Sequence, residues 1–348
     1  MSGTKKADYS AACREFEEVQ ATTCASYGQC SIGSETRHAH KNRYWDIIPR
    51  NDTRVLLEAD DEDEDYINAS YIDGEEKKRE YIACQAPLDS TIYDFWSMVW
   101  QQMCPLIVML TALKEGKTIK CTQYWPDDGT CAAYGPIKVH HRKTFNLNPF
   151  TLRTFTLQKY GEEDRELVQI QMDTWPDHGV PTCTKVIREL LWLMQRIRQR
   201  SQLPGPALIH CSAGVGRTGS LIACDIISQR LRQRKSVDVK RTVEGLRKQR
   251  PKMVMTADQY YLIHRLASEL FPSPSQPSAS CSSESTTPMT MEAQTSHTGE
   301  LREPRAPSEV TVRPTDTRKT TQYLNGRFEE YATGVLYMHT KRMAKSSC

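Results

Sequence analysis

Residues 206–225 read PALIHCSAGVGRTGSLIACD, and this stretch limits the possible folds more than any other. The apolar run Ala207-Leu208-Ile209 is strand-sized and ends in His210-Cys211. A turn of small residues with Gly214 and Gly216 follows, and Arg217 then leads into an apolar segment that reads as a helix. A strand passing through a tight loop into a helix presents backbone N–H groups and a helix N-terminus to an anion. The two glycines allow turns that a Cβ would obstruct and leave room for the anion. Arg217 can offer a planar fork of donors to two oxygens at once, which suits a phosphate. The same loop amides and helix end favour the thiolate form of Cys211. The stretch therefore reads as a cradle that binds a phosphoryl group and aims a nucleophile at phosphorus.

Other segments set the architecture. ELVQIQMDTW alternates Val168, Ile170 and Met172 against Gln169, Gln171 and Asp173, the pattern of a half-buried strand. LIVML and TIKCTQYW read as further strands and STIYDFWSMVWQQ as a helix. TKVIRELLWLMQRIRQR carries Val186, Leu190, Leu193 and Ile197 on one helical stripe. Strands cluster in the middle and helices follow. The expectation is one α/β domain over residues 8–271, with a highly twisted mixed sheet and helices on both faces. After Phe271 the chain becomes rich in Pro, Ser and Thr, so residues 272–348 read as a mostly disordered tail.

Charge and cysteine usage remove several alternatives. Lys plus Arg (46) nearly cancels Asp plus Glu (43), which gives no reason to expect a nucleic-acid or membrane partner. No apolar run reaches the eighteen residues of an integral membrane segment, and MSGTKKADYSAAC has no signal core. A cytoplasmic protein is expected. The 12 cysteines are scattered without a CxxC pair or zinc spacing, so they read as free thiols in a core, and no metal site is expected.

Cysteine and arginine at this spacing are common by chance, and a strand-end cysteine is ordinarily packing. A second requirement of the chemistry sharpens the reading. A departing tyrosine phenolate leaves poorly unless protonated. DTWPDHGVP supplies a carboxylic acid, Asp177, between Pro176 and Gly179, directly after a strand and in a segment suited to a lid.

HCSAGVGRTG and WPDHGVP resemble the signature loop and acid loop of the tyrosine-specific protein tyrosine phosphatases, of the non-receptor type with a single catalytic domain. KNRYWDI, DYINASYIDG, YIACQAPLDSTIYDFWSMVW, KCTQYWP and MTADQYY follow in the family's order. The resemblance covers roughly residues 40–271, with a helical lead-in at REFEEV.

The resemblance implies hydrolysis of phosphotyrosine in proteins. Cys211 would attack phosphorus to form a phosphocysteine, with Asp177 as general acid and then base. Arg217 and the amides of Ser212, Ala213, Gly214, Val215 and Gly216 would hold the phosphoryl oxygens, so no cofactor is implied. Thr218 would bond the departing thiolate, although a first-turn hydroxyl can also cap a helix. His210, Trp175 and Glu115 would support the site, Glu115 by pairing with Arg217. Tyr44 would set a pocket too deep for phosphoserine, and Asp46 would accept hydrogen bonds from the substrate backbone. Alone, Tyr44 would read as a core aromatic and Glu115 as a turn charge.

This chain departs from the family at Met255, where a glutamine commonly positions the hydrolytic water. Gln259 stands four residues on, but Thr256 and Gln259 also spell a capping box, and both readings remain. The departure gives a rival class its foothold: a module that binds phosphotyrosine and turns it over weakly. A dual-specificity or lipid phosphatase would share the cysteine loop but leaves KNRYWD unexplained. The acidic run at 60–65 would favour substrates with basic flanks. Tyr323-Leu324-Asn325 in the tail would form a docking site for signalling partners once phosphorylated.

Overall fold

The apolar run before Cys211 is a strand, Ala207–His210, buried at every position. It lies inside a computed structural model that describes residues 3–23, 29–59, 64–177 and 179–270. The expected disordered tail, Tyr323 and most of the acidic run at 60–65 lie outside the described residues.

The chain begins with α1 (Gly3–Thr23), followed by β1 (Arg54–Leu56), β2 (Tyr66–Ile72) and β3 (Tyr81–Cys84). Next come α2 (Ile92–Gln101), β4 (Leu106–Met109) and a small hairpin of β5 (Lys114–Glu115) and β6 (Thr118–Ile119). The middle holds β7 (Cys131–Tyr134), β8 (Ile137–Asn146), β9 (Thr151–Lys159) and β10 (Arg165–Gln171). After α3 (Thr184–Arg200) comes β11 (Ala207–His210), then α4 (Gly216–Arg232), α5 (Val239–Gln249) and α6 (Ala257–Leu270).

Among the described residues nine strands form one mixed sheet, in the order β1-β2-β3-β11-β4-β10-β9-β8-β7. The central strands β3, β11, β4 and β10 are parallel, and the flanking pairs are antiparallel. The carboxyl ends of those four strands therefore open on a single edge, where ligands of open α/β sheets bind. That edge releases the Cys211 loop, the β5–β6 hairpin, the Asp177 loop and the Gln85-Ala86-Pro87 turn.

Parallel strands must be covered on both faces, and helices do this. Phe95, Trp96, Met98 and Val99 of α2 pack on Ile82, Ile107, Met109 and Leu208 of one face. Leu106, Val108 and Ile209 alternate with those residues and are equally buried. Their side of the sheet meets α3 on β4 and α4 on β11 and β3. Burying each large apolar side chain contributes about 1.5–3 kcal/mol. The α/β reading with helices on both faces holds. The nine described cysteines are free thiols, and Cys84, Cys104 and Cys224 serve as core residues.

Two local readings need correction. Gln169 and Gln171 do not face solvent but are buried in β10, because side chains and loop backbone from other segments lie over their face of the sheet. Gln169 Nε2 donates to the Tyr124 hydroxyl (2.6 Å) and Gln171 Nε2 to Thr111 O (3.1 Å), while Arg153 Nη1 donates to both side-chain oxygens. Buried amides with complete partners imitate the alternation of a half-exposed strand. In TIKCTQYW only Thr118–Ile119 is a strand. Cys121, Tyr124 and Trp125 are buried as a loop, and Trp96 Nε1 donates to Tyr124 O (2.7 Å). The α3 stripe is as expected except that Val186 lies at its margin and Ile187 inside it.

Candidate active site

β11 stops at His210, and the chain wraps around Cys211 before α4 begins at Gly216. Gly214 adopts φ +72°, and a Cβ there would meet the Cys84 carbonyl at 2.0 Å, so both conformation and space demand glycine. Gly216 lies within α4, and its lack of a side chain leaves room for the Gln259 amide, 3.2 Å from where a Cβ would sit. Val215 precedes the helix without a side-chain cap, so the N-terminal amides of α4 are left for another acceptor. The Gly214 amide donates to Cys211 Sγ (3.3 Å), and Cys211 is 5% exposed. Thr218 is buried, and its Oγ1 has no hydrogen-bond partner. It does not cap the helix.

Arg217 lies at the centre of a charged cluster. Its Nη1 donates to Leu110 O (2.9 Å) and Glu115 Oε1 (2.6 Å), and its Nη2 to Glu115 Oε2 (2.8 Å) and Asp177 Oδ1 (2.8 Å). Asp177 Oδ2 also accepts from Lys120 Nζ at 2.5 Å. Burial pushes the Glu115 carboxyl up, but hydrogen bonds from Arg217 and Thr111 outweigh it and hold the group below the usual range. The acid loop is anchored by Trp175, which is buried and donates from Nε1 to Gly179 O (3.1 Å).

His210 stands directly before Cys211. Its Nδ1 donates to Cys211 O (3.1 Å), since a carbonyl can only accept, and its Nε2 accepts from the Tyr124 hydroxyl (2.9 Å). Burial lowers the imidazole pKa from 6.5 to about 4, so the ring is neutral where most enzymes work. The unfolded chain binds a proton there more readily. The stability from this group is complete above 6.5 and is lost as pH falls through about 4. His210→Gln should therefore flatten the drop in Tm across that interval relative to wild type, and parallel Tm–pH curves would contradict the assignment.

The remaining expected residues form the rim. The Tyr44 hydroxyl donates to Ser212 Oγ (2.9 Å), which in turn donates to Lys120 O (2.9 Å). Asp46 is paired with Lys252 Nζ at 2.7 Å. Gln259 Oε1 accepts from the Met255 backbone amide (2.9 Å), and the Gln259 backbone N–H donates to Thr256 Oγ1 (3.2 Å). Half of the capping box thus forms, because the Gln259 side chain bonds the Met255 amide and not that of Thr256, and this side chain and the Met255 sulfur both border Gly216.

Several participants escaped sequence reasoning. Lys120 and Tyr124 lay inside a presumed strand. Arg43, inside KNRYWD, donates to Ala86 O (3.0 Å) and Pro87 O (2.5 Å) and ties the rim to the β3 turn. Trp45, also in that motif, is 89% exposed. Arg250 lies fully buried under the loop. Arg43 and Trp45 in KNRYWDI, and Lys120 and Tyr124 in KCTQYWP, had a signal in their place within a quoted motif, whereas Arg250 had none.

A thiol that accepts the Gly214 amide at the head of a helix, close to an arginine bonded to a carboxylate from a separate loop, makes a candidate oxyanion site. The family model of protein-tyrosine phosphatase matches residues 38–269. Receptor-type tyrosine-protein phosphatase F of Rattus norvegicus is 47% identical over 228 residues, covering 64% of this chain and 12% of that protein. Tyrosine-protein phosphatase Lar-like of Caenorhabditis elegans is 44% identical over 253 residues, covering 72% of this chain and 11% of that protein. The chain thus spans only a small part of these relatives. It belongs to the protein-tyrosine phosphatase family.

Proposed function

We propose that this chain hydrolyses phosphotyrosine in proteins through a phosphocysteine intermediate. One observation carries the reading. The Arg217 fork, shared between Glu115 and Asp177, begins the helix whose loop donates to Cys211 Sγ. Cation, acid and nucleophile thus meet in one cluster.

An incoming phosphate displaces Asp177 from Arg217 and takes the guanidinium and the loop amides for its own oxygens. The anionic oxygens beside Asp177 then favour its protonated form. Cys211 Sγ forms a bond to phosphorus as the bond to the aryl oxygen breaks, and Asp177 gives that oxygen its proton. The resulting carboxylate takes a proton from water as the water attacks phosphorus, and the S–P bond breaks to return the thiolate. The unpartnered Thr218 Oγ1 suits a hydroxyl that bonds the sulfur as it departs. Tyr44, held by Ser212, forms the side of a pocket for the aryl ring, and its depth is the basis for excluding phosphoserine. Asp46 meets the substrate backbone only by sharing or leaving its Lys252 partner.

Residues 8–271 form the catalytic unit in this reading. It is supported by the docking of α1 on α6 through Phe16 against Tyr260 and Tyr9 against Tyr261. Among the described residues no helix is long and apolar enough to cross a membrane. A cytoplasmic location and a signalling partner at Tyr323 belong to the same reading, the latter on its motif alone. Phosphate release from a phosphotyrosyl peptide, with a phosphoseryl peptide in parallel, tests the function. Equal rates on both would refute tyrosine specificity.

Met255 separates the two steps. A thioether cannot position water as an amide does, and the Gln259 oxygen is engaged by the Met255 amide. Phosphocysteine formation should therefore outrun its hydrolysis. An aryl phosphate should give a burst approaching one product per enzyme, and Met255→Gln should raise steady-state turnover about tenfold. Absence of a burst, with turnover unchanged by the substitution, would remove this part of the reading.

A further inference from the structure

Every carbonyl from Cys211 to Val215 accepts a hydrogen bond from the protein around the loop. Cys211 O receives His210 Nδ1 (3.1 Å), Ser212 O the Ala86 amide (2.9 Å) and Val215 O the Val254 amide (3.1 Å). The two between them belong to one side chain. Arg250 Nη2 donates to Ala213 O (3.1 Å) and Nε to Gly214 O (2.9 Å). A trans peptide is planar, so the C=O of one residue and the N–H of the next point in opposite directions. Holding the carbonyls of 211–215 into the protein turns the amides of 212–216 the other way. The Gly214 amide on Cys211 Sγ shows the outcome for one of them.

Arg250 is built for this task. It is 0% exposed, and its remaining bonds reach Ser70 Oγ (3.2 Å) and Asn68 Oδ1 (2.8 Å) on β2. All four of these partners are neutral, so the buried cation acts on the dipoles of the groups it holds. Burial lowers the pKa of this guanidinium, a cost that four hydrogen bonds offset. The segment carrying it is itself held firmly. Val254, β-branched, adopts φ +63°, and Arg247 Nη2 donates to its carbonyl (2.7 Å).

We propose that Arg250 is a positioning residue for the reaction: its two-pronged grip on the carbonyls of 213 and 214 aims the amides of Gly214 and Val215 at the phosphoryl oxygens. The proposal rests on the phosphatase reading above but is tested separately from it.

Arg250→Lys keeps the charge and stem while losing the fork. It should lower kcat/KM for an aryl phosphate by about tenfold to a hundredfold, and weaken inhibition by vanadate by the same factor. A purely structural role would lower Tm but leave both values unchanged per folded molecule, and that result overturns the proposal. Ser70→Ala retains Arg250 and frees only Nη1. A parallel loss of about twofold to fivefold is expected, and this variant decides the matter if Arg250→Lys fails to fold. Protection of Cys211 from iodoacetate by inorganic phosphate reports the same loop without turnover. Should wild-type protein hydrolyse nothing yet show protection that Arg250→Lys weakens, the phosphatase reading fails while the role of Arg250 stands. Equal protection in wild type and both variants overturns it.

Discussion

Cys211→Ser should reduce phosphate release from a phosphotyrosyl peptide by about 10⁴-fold or more while leaving peptide binding intact. A hydroxyl retains the position and size of the thiol but is almost wholly un-ionised at neutral pH, so it cannot attack phosphorus at a useful rate. The loop proposed to bind the phosphoryl group is held through its backbone carbonyls by Ala86, Arg250 and Val254, none of which depends on the sulfur. Rate and affinity should therefore separate. Stopped-flow phosphate release and peptide binding by calorimetry read the two quantities. A serine variant that turns over at even a tenth of the wild-type rate would show that Cys211 is not the nucleophile. A wild-type protein as slow as the variant would instead favour a phosphotyrosine-binding module.

The second large effect belongs to Asp177. Removing its carboxyl in Asp177→Ala takes away the proton for the leaving phenol, and kcat should fall by about 10²–10⁴-fold. The structure adds a consequence with the opposite sign. Asp177 is bonded to Arg217 and Lys120, so it competes with an incoming oxyanion for the same cations. Its removal should tighten vanadate and phosphotyrosyl peptide binding even as turnover collapses, and Asp177→Asn should retain part of the competition. The variant should also retain phosphotyrosyl proteins from a cell extract, which addresses the physiological substrate. Unchanged vanadate affinity would mean that the Asp177–Arg217 pair does not compete with bound anion, and unchanged kcat would place the acid elsewhere.

Much of the fold was legible because its signals are local. The run before Cys211, the stripe of α3 and the α2 segment each announce their element through a short pattern. β10 was legible as a strand but not in its burial. Gln169 and Gln171 look like a solvent-facing row until the hydroxyl of Tyr124, the carbonyl of Thr111 and the guanidinium of Arg153 appear opposite them. These partners come from three other segments, and no window of sequence contains them all. TIKCTQYW misled for a related reason: its apolar residues enter the core singly from a loop instead of pairing along a ladder.

The sequence by itself determined the chemical inventory: a thiol at a strand end, a small-residue loop, an arginine at the head of a helix and an acid between Pro and Gly. Spacing along one chain segment is enough for that, because the strand, loop and helix that carry Cys211 and Arg217 are contiguous. Only the tertiary structure decided how the inventory is aimed. Arg250 and Ala86 turn the loop's amides from 37 and 126 residues away in number but within 3.1 Å in space. Lys120 and Arg217 hold Asp177 by contacts that likewise exist only once the parallel strands bring their carboxyl ends to one edge. The direction of a hydrogen bond depends on where the folded chain puts the partner, and residue order alone does not encode that.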